Sequence, residues 1–414
     1  MGFAQGVSGL NAASSNLDVI GNNIANSETT GFKAGTVSFA DIYAGSQVGL
    51  GVQVTGVTQD FSDGSVNSTG EGLNVAISNN GFFRAVDSSG TVYYTRDGDF
   101  QLDDNRNLLT STGMNVTGYP VSGTPPTVQQ GATPVNLSIP LTGMSATATT
   151  TATMALDLDS DSTTIDTTAT PFDANDSSTY SFSEPLTTYD SLGNPHNISL
   201  YFTKTADNTW DVKAVDGSVS PASQQDLGTL KFNTNGTLDT ADCTDAAGDA
   251  NGGISTISMA SLDGSAASTF TLNFAGSQQQ YNSASSVSAQ NATGYPAGDL
   301  TKYTINDDGT ITGTYSNGQT QLLGQIVLAN FANPQGLTSD GNNVYSATSA
   351  SGPAVLGTAG TGNFGTMTSG ALEGSNVNLS NELVDLIVAQ RDYQSNAQTI
   401  KAQDTIMQTL VSMS

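Results

Sequence analysis

The chain has 414 residues with 37 acidic and 10 basic side chains, a net charge of −27, and a length that suits about two to four domains. Such an excess of anions argues against nucleic acid or an anionic membrane surface as partner, because cationic contacts supply most of that affinity. One cysteine, Cys243, cannot close an intrachain disulfide, and the absence of a run of about 18 apolar residues argues against membrane insertion by a helix.

In chain order, the first expected element is a helix over residues 1–30. Phe3, Leu10, Leu17 and Ile24 recur every seven residues, with Ala13 and Ile20 in a second row, which is the a and d spacing of a coiled-coil seam. Gly6, Gly9 and Gly21 each cost such a helix up to about 1 kcal/mol against Ala. Asp18 is the single charged residue before Glu28, whereas a helix with a face in water normally carries charge there. Cover by other copies of the chain follows, and contacts that repeat head to tail without closing build helical polymers. No Lys or Arg precedes Lys33, so export without a cleaved signal peptide is expected.

Residues 31–70 read as an extended, Gly-rich connector. From about residue 70 to 370 the pattern turns to β. Asp-Gly and Asn-Gly pairs, as at 97–98, 235–236 and 317–318, separate short apolar runs such as Thr91-Val92-Tyr93-Tyr94, the signature of antiparallel hairpins. Thr117-Gly118-Tyr119-Pro120 recurs as Thr293-Gly294-Tyr295-Pro296. The repeat predicts a domain inserted in another, with its two flanking strands side by side and each stopped by proline. The expected fold is therefore mainly β with α-helical termini, nested and multidomain: paired N- and C-terminal helices plus two antiparallel β domains, the outer inserted in the inner. The expected boundaries are 1–30 and 371–414 for the helical domain, 31–70 for the connector, 71–145 and 286–370 for the split inner β domain, and 146–285 for the insert. In the last segment Leu379, Leu386, Tyr393, Ile400 and Met407 are again seven apart, with Leu383, Ala397 and Val411 in a second row that Asp404 interrupts.

The residues that could carry chemistry point away from catalysis. His196 is the one histidine, so neither a Ser-His-Asp set nor a His-rich metal site is expected. Its place after Gly193-Asn194-Pro195 predicts an exposed turn. Asp157, Asp159 and Asp161 alternate as a calcium loop begins, but Ser162 and Thr168 stand where that loop needs Gly and Glu. Asp103-Asp104 and Asp307-Asp308 are turn neighbours without the separation across a cleft that glycosidase acids need. No catalytic, metal or cofactor residue is expected.

Several stretches are familiar. Residues Asn16 to Asn26 (Asn-Leu-Asp-Val-Ile-Gly-Asn-Asn-Ile-Ala-Asn) followed by Thr30-Gly31-Phe32-Lys33 closely resemble the N-terminal signature of the flagellar rod and hook proteins. Leu372-Glu373-Gly374-Ser375-Asn376-Val377, Glu382-Leu383-Val384, Ala389-Gln390-Arg391-Asp392-Tyr393 and Asn396 resemble its C-terminal counterpart. The stretch from Gly81-Phe82-Phe83 through Thr95-Arg96-Asp97-Gly98-Asp99-Phe100 to Gly118-Tyr119-Pro120 is similar to the family's β domain. Within the family the large insert resembles that of hook subunits, with the distal rod subunit as the alternative.

The resemblance implies a non-enzymatic subunit that polymerises into a flexible joint passing torque from motor rod to filament. It also implies type III export, an extracellular flagellar location, and distal rod, hook cap and hook–filament junction proteins as partners. The residues expected at subunit interfaces are Leu10, Leu17, Ile20, Asn22, Asn23, Ile24 and Asn26 in front, with Leu383, Leu386, Gln390, Arg391, Tyr393, Asn396 and Ile400 behind. No cofactor or metal is implied.

Overall fold

The computed structural model describes residues 2–42 and 49–413. The chain divides into two compact units. One holds the residues up to Leu141, residues 301–314 and those from Thr320 onward; the other holds 142–300 and 315–319. The fold is mainly β with a helix at each end.

In the first unit, α1 (Gly2–Ala25) and α2 (Leu379–Met413) are the terminal helices. Asn378 caps α2, its Oδ1 accepting the amides of Ser380 and Asn381 at 3.1 and 3.2 Å, which satisfies donors that a helix start leaves open. After α1 the chain turns at Gly31, whose φ of +67° and close approach to the Arg96–Asp97 backbone leave no room for a Cβ. Between residues 31 and 70, where the sequence suggests an extended connector, β1 (Gly35–Asp41) and β2 (Val52–Gln59) pair as an antiparallel hairpin with a bulge between Ser38 and Phe39. The hairpin packs on α1. Tyr43 to Val48 lie outside the described residues.

The β body of this unit is a large sheet around Asn115–Tyr119, Phe82–Val86 and Val92–Thr95. Val75, Ile77, Phe83, Leu108, Ile326 and Leu328 fill its main core. A second cluster stacks Phe82, Tyr94, Phe331 and Tyr345 edge to face, arrangements worth about 0.5–1.5 kcal/mol per pair beyond area burial.

The second unit is a two-sheet body. Phe182–Tyr189, Pro195–Ala206, Thr209–Asp216 and Ser223–Lys231 form an antiparallel meander. A five-stranded sheet is built around Thr151–Asp159, which pairs antiparallel with Ser286–Ala292 and parallel with Ser268–Asn273. Strict alternation places Leu156, Leu200, Phe202, Trp210 and Phe270 in a shared core. Trp210 Nε1 donates to Gln279 Oε1 at 2.6 Å, and Cys243 is buried in the same cluster.

Two expectations need correcting. The repeated Thr-Gly-Tyr-Pro segments are not paired. The first lies in a strand beside Thr320–Ile326 in the first unit, while Tyr295 of the second bridges Thr147 within the other unit. After Pro120 the chain first returns to its own sheet through Val135–Asn136, so the passage between units comes later. His196 is not exposed but fully buried. Its Nδ1 lies 2.6 Å from Asp216 Oδ2, and its Nε2 faces Asp190 Oδ2 at 3.7 Å. Strand alternation turned it inward, where Asp216 from the adjacent strand meets its Nδ1. Asp157 and Asp159 accept hydrogen bonds from Asn282, and the buried Lys204 ammonium donates to the carbonyls of Ser160 and Ser162 at 2.6 and 3.1 Å.

Candidate assembly interface

Small residues decide how the terminal helices meet. Asn23 Nδ2 donates to Glu382 Oε1 at 3.1 Å, a Cβ on Gly9 would meet Asn396, and one on Gly6 would meet Ile400. Rising numbers on one helix face falling numbers on the other, so α1 and α2 run antiparallel. The seam on α1 follows Gly6, Gly9, Ala13, Asn16, Ile20 and Asn23, and on α2 it follows Glu382, Ala389, Asn396 and Ile400. This is a seven-residue repeat, but its register differs from the expected one. Ala13 and Ile20 are buried, whereas Phe3 is 55% exposed and Leu10, Leu17 and Ile24 are half-buried at its flanks. Glycine and alanine let the backbones close up, and the larger side chains are displaced to the sides.

Of the expected interface residues, Ile20 and Asn23 are buried and Leu10, Leu17, Ile24, Asn26, Leu386, Asn396 and Ile400 are half-buried. Asn22, Leu383, Gln390, Arg391 and Tyr393 are exposed. Asn26 stays local, its Nδ2 donating to the Asn22 carbonyl at 2.9 Å. On the side of α2 away from the seam, Leu383, Val384, Ile387 and Val388 form an apolar face that is 45–60% exposed, and Arg391 continues it by one turn. Burial raises the Glu382 carboxyl above its usual range while its hydrogen bond from Asn23 opposes that shift. On another side, α1, α2 and the β1–β2 hairpin enclose a groove of about 470 Å³ lined by Ala12, Asn16, Phe39, Val52, Asp392 and Ser395, among others.

At the root of the helices lies a group of charged residues to which the sequence reading assigned no role. Lys33 and Glu373 are fully buried and paired at 2.6 Å. Arg96 Nη1 reaches Glu373 Oε2 at 3.2 Å and Asp63 Oδ1 at 3.4 Å, and its guanidinium lies 5.2 Å from the Phe82 ring centre. Lys33 Nζ also donates to the Ser62 carbonyl at 2.6 Å, and the Gly64 amide donates to Glu373 Oε1 at 3.0 Å. Burial pushes the Lys33 ammonium below its usual range, with the Glu373 carboxylate pulling the other way. Asn23 bonds the Gly35 backbone in both directions at 2.9 Å, and Asn376 accepts the Ala34 amide at 2.7 Å. The one available signal was scarcity: with ten basic residues in the chain, a cation inside a motif has few reasons to be there.

Among the described residues, no group of three or more His, Cys, Asp or Glu side chains could hold a metal ion, and no helix is long and apolar enough to cross a membrane. Four family models match the chain: "Flagella basal body rod protein" at residues 5–33, "Flagellar hook protein FlgE/F/G D1 domain" at 76–166, "Flagellar basal body protein FlaE D2 domain" at 157–295, and "Flagellar basal body rod FlgEFG protein C-terminal" at 368–413. The flagellar hook protein FlgE of Escherichia coli is 57% identical over 413 residues, covering all of both chains. That of Salmonella typhimurium is 56% identical, again with full coverage, and that of Treponema pallidum 31% identical with 99% of this chain covered. In fold, the chain is similar to the crystal structure of Helicobacter pylori flagellar hook protein FlgE2, with a TM-score of 0.51 at 12% identity over 73% of this chain and 98% of that one.

Proposed function

The chain belongs to the flagellar hook protein family, and on that premise we propose that its terminal helix pair is the element through which copies join. Its function is that of a structural subunit of the hook. The full-length relatives bear that name across the inserted residues as well, which decides against the distal rod alternative. Polymerisation with other flagellar proteins follows from the family.

The observation that carries the proposed interface is the exposed apolar face of Leu383, Val384, Ile387 and Val388, on a helix whose other side is already occupied by α1. Water-facing apolar stripes of this kind mark contact surfaces. The groove beside Phe39 and Val52 offers a receiving surface on the next copy. Asp392 in that groove is an acid for the neighbour's Arg391, a cation in a strongly acidic chain. A face that fits a different surface of the next copy makes a heterologous contact, which builds an open helix.

The further reading is of a flexible joint that passes torque from rod to filament. Its neighbours at the two ends would be distal rod, hook cap and hook–filament junction proteins. Export by the type III route, without removal of a leader, and the absence of any catalytic step belong to the same reading. Two variants test it. Deleting residues 1–30 should abolish polymerisation while the circular dichroism of the β units is retained, and Arg391→Asp should reduce hook number. Normal hooks from both variants would overturn the interface.

A further inference from the structure

We propose that Lys33, Glu373 and Arg96 form a lock that closes inside the single subunit, before assembly, and fixes the direction in which the helix pair leaves its β body. The second half of this statement rests on the hook-subunit reading; the first does not. Three distant passes of the chain converge on Glu373: the exit from α1 at Gly31 to Gly35, the return from the hairpin at Ser62 to Gly64, and the approach to α2 at Ala371 to Asn376. Each is tied by more than one bond. The Gly31 amide donates to the Glu373 carbonyl at 2.7 Å, the Gly374 amide to the Ser65 carbonyl at 2.7 Å, and Val66–Ser68 pairs with Ala371–Glu373. Arg96, at the end of a β-body strand, binds the same carboxylate and the Asn79 carbonyl, and Asp63 accepts the Asn79 amide at 2.6 Å. An outer ring of Asn23, in the last turn of α1, and Asn376, three residues before α2, fastens both helix roots to the base of the hairpin.

The physical character of this joint sets its behaviour. Lys33 and Glu373 have no exposed surface, so losing Glu373 leaves a buried ammonium without its counter-charge, and losing Lys33 leaves the buried carboxylate to Arg96 alone. A slip of either helix root would break several charge-assisted bonds together, so the joint opens as a whole or stays shut. Every partner belongs to the same chain, hence neighbours are not required to close it. Order in a free subunit should therefore extend out to Gly31 and Asn376, while the helices beyond await other copies. The give of a hook would then lie away from this root, and twist applied to the helices would pass directly into the β body.

Hydrogen exchange on the full-length, unassembled chain tests the first part. In the wild type, the amides of Gly31, Ala34 and Gly64 should exchange at least about tenfold more slowly than those of α1 residues 3–20. Lys33→Met should erase that difference and leave Thr151–Asp159 unchanged, and Lys33→Arg should restore part of it. Hooks made from Lys33→Met subunits should twist at least about twofold more per unit torque in a tethered-bead measurement, or fail to form although the β units are folded. Unchanged protection in Lys33→Met, loss of protection throughout the chain, or Lys33→Met hooks as stiff as the wild type would each overturn the lock. A wild-type chain that does not restore hooks to a hook-less strain would sink the hook-subunit reading and leave the exchange result standing.

Discussion

Replacing Ile387 and Val388 by serine probes the outward face of α2 at two positions that contribute little to the lone chain. Full burial of such side chains is worth roughly 1.5–3 kcal/mol. Each is 51% exposed in the single subunit, so contact with a neighbour still has about 1 kcal/mol to gain from each. The double variant should lose about 2 kcal/mol per subunit contact, which at 1.4 kcal/mol per factor of ten is about thirtyfold. The quantity to measure is the critical concentration for polymerisation of purified subunit, by sedimentation, with thermal melting of the unassembled protein alongside. The expected result is a critical concentration about thirtyfold higher with melting of the β units unchanged, because both side chains lie outside the sheet cores. An unchanged critical concentration would refute the assignment of this face, as would a rise matched by an equal fall in stability.

Asn23→Ala should loosen the hairpin from α1, since it removes two bonds to the Gly35 backbone and one to Glu382; about 1–3 kcal/mol is at stake, read as faster exchange of the Gly35 amide. Asp190 gives an acid dependence. Burial opposes its ionisation, but hydrogen bonds from Ser265, Asn194 and the Asn194 and Leu192 amides outweigh that and hold its carboxyl at about 2. A depressed value stabilises the fold above about pH 4, and about 2 kcal/mol should be lost as pH falls from there through about 2. Acid titration of Asp190→Asn should lack that component. Trp210→Ala should cost the insert about 3–5 kcal/mol. Cys243, buried with its thiol pushed up by burial, should resist maleimide in the native protein and become reactive at a lower denaturant concentration in that variant.

Local periodicity sufficed for a good part of the molecule. The short apolar run Thr91-Val92-Tyr93-Tyr94 between turn pairs marked a strand that the fold contains at Val92–Thr95, and the seven-residue spacing marked both end helices. These signals are legible because side-chain direction repeats every two or 3.6 residues whatever the distant surroundings. Register was not legible. The expected second row of Ala13 and Ile20 lies in the seam, but Gly9, Asn16 and Asn23 take the place of Phe3, Leu10, Leu17 and Ile24 beside it, and how closely the backbones approach decides between those two rows. His196 was misread for a related reason: a turn signal beside it said nothing of Asp216, which meets it from the adjacent strand. The buried lock lay furthest out of reach. Glu373 is 340 residues from Lys33 and 277 from Arg96, and a charge in a sequence reads as solvated until the fold supplies its counter-charge and removes the water.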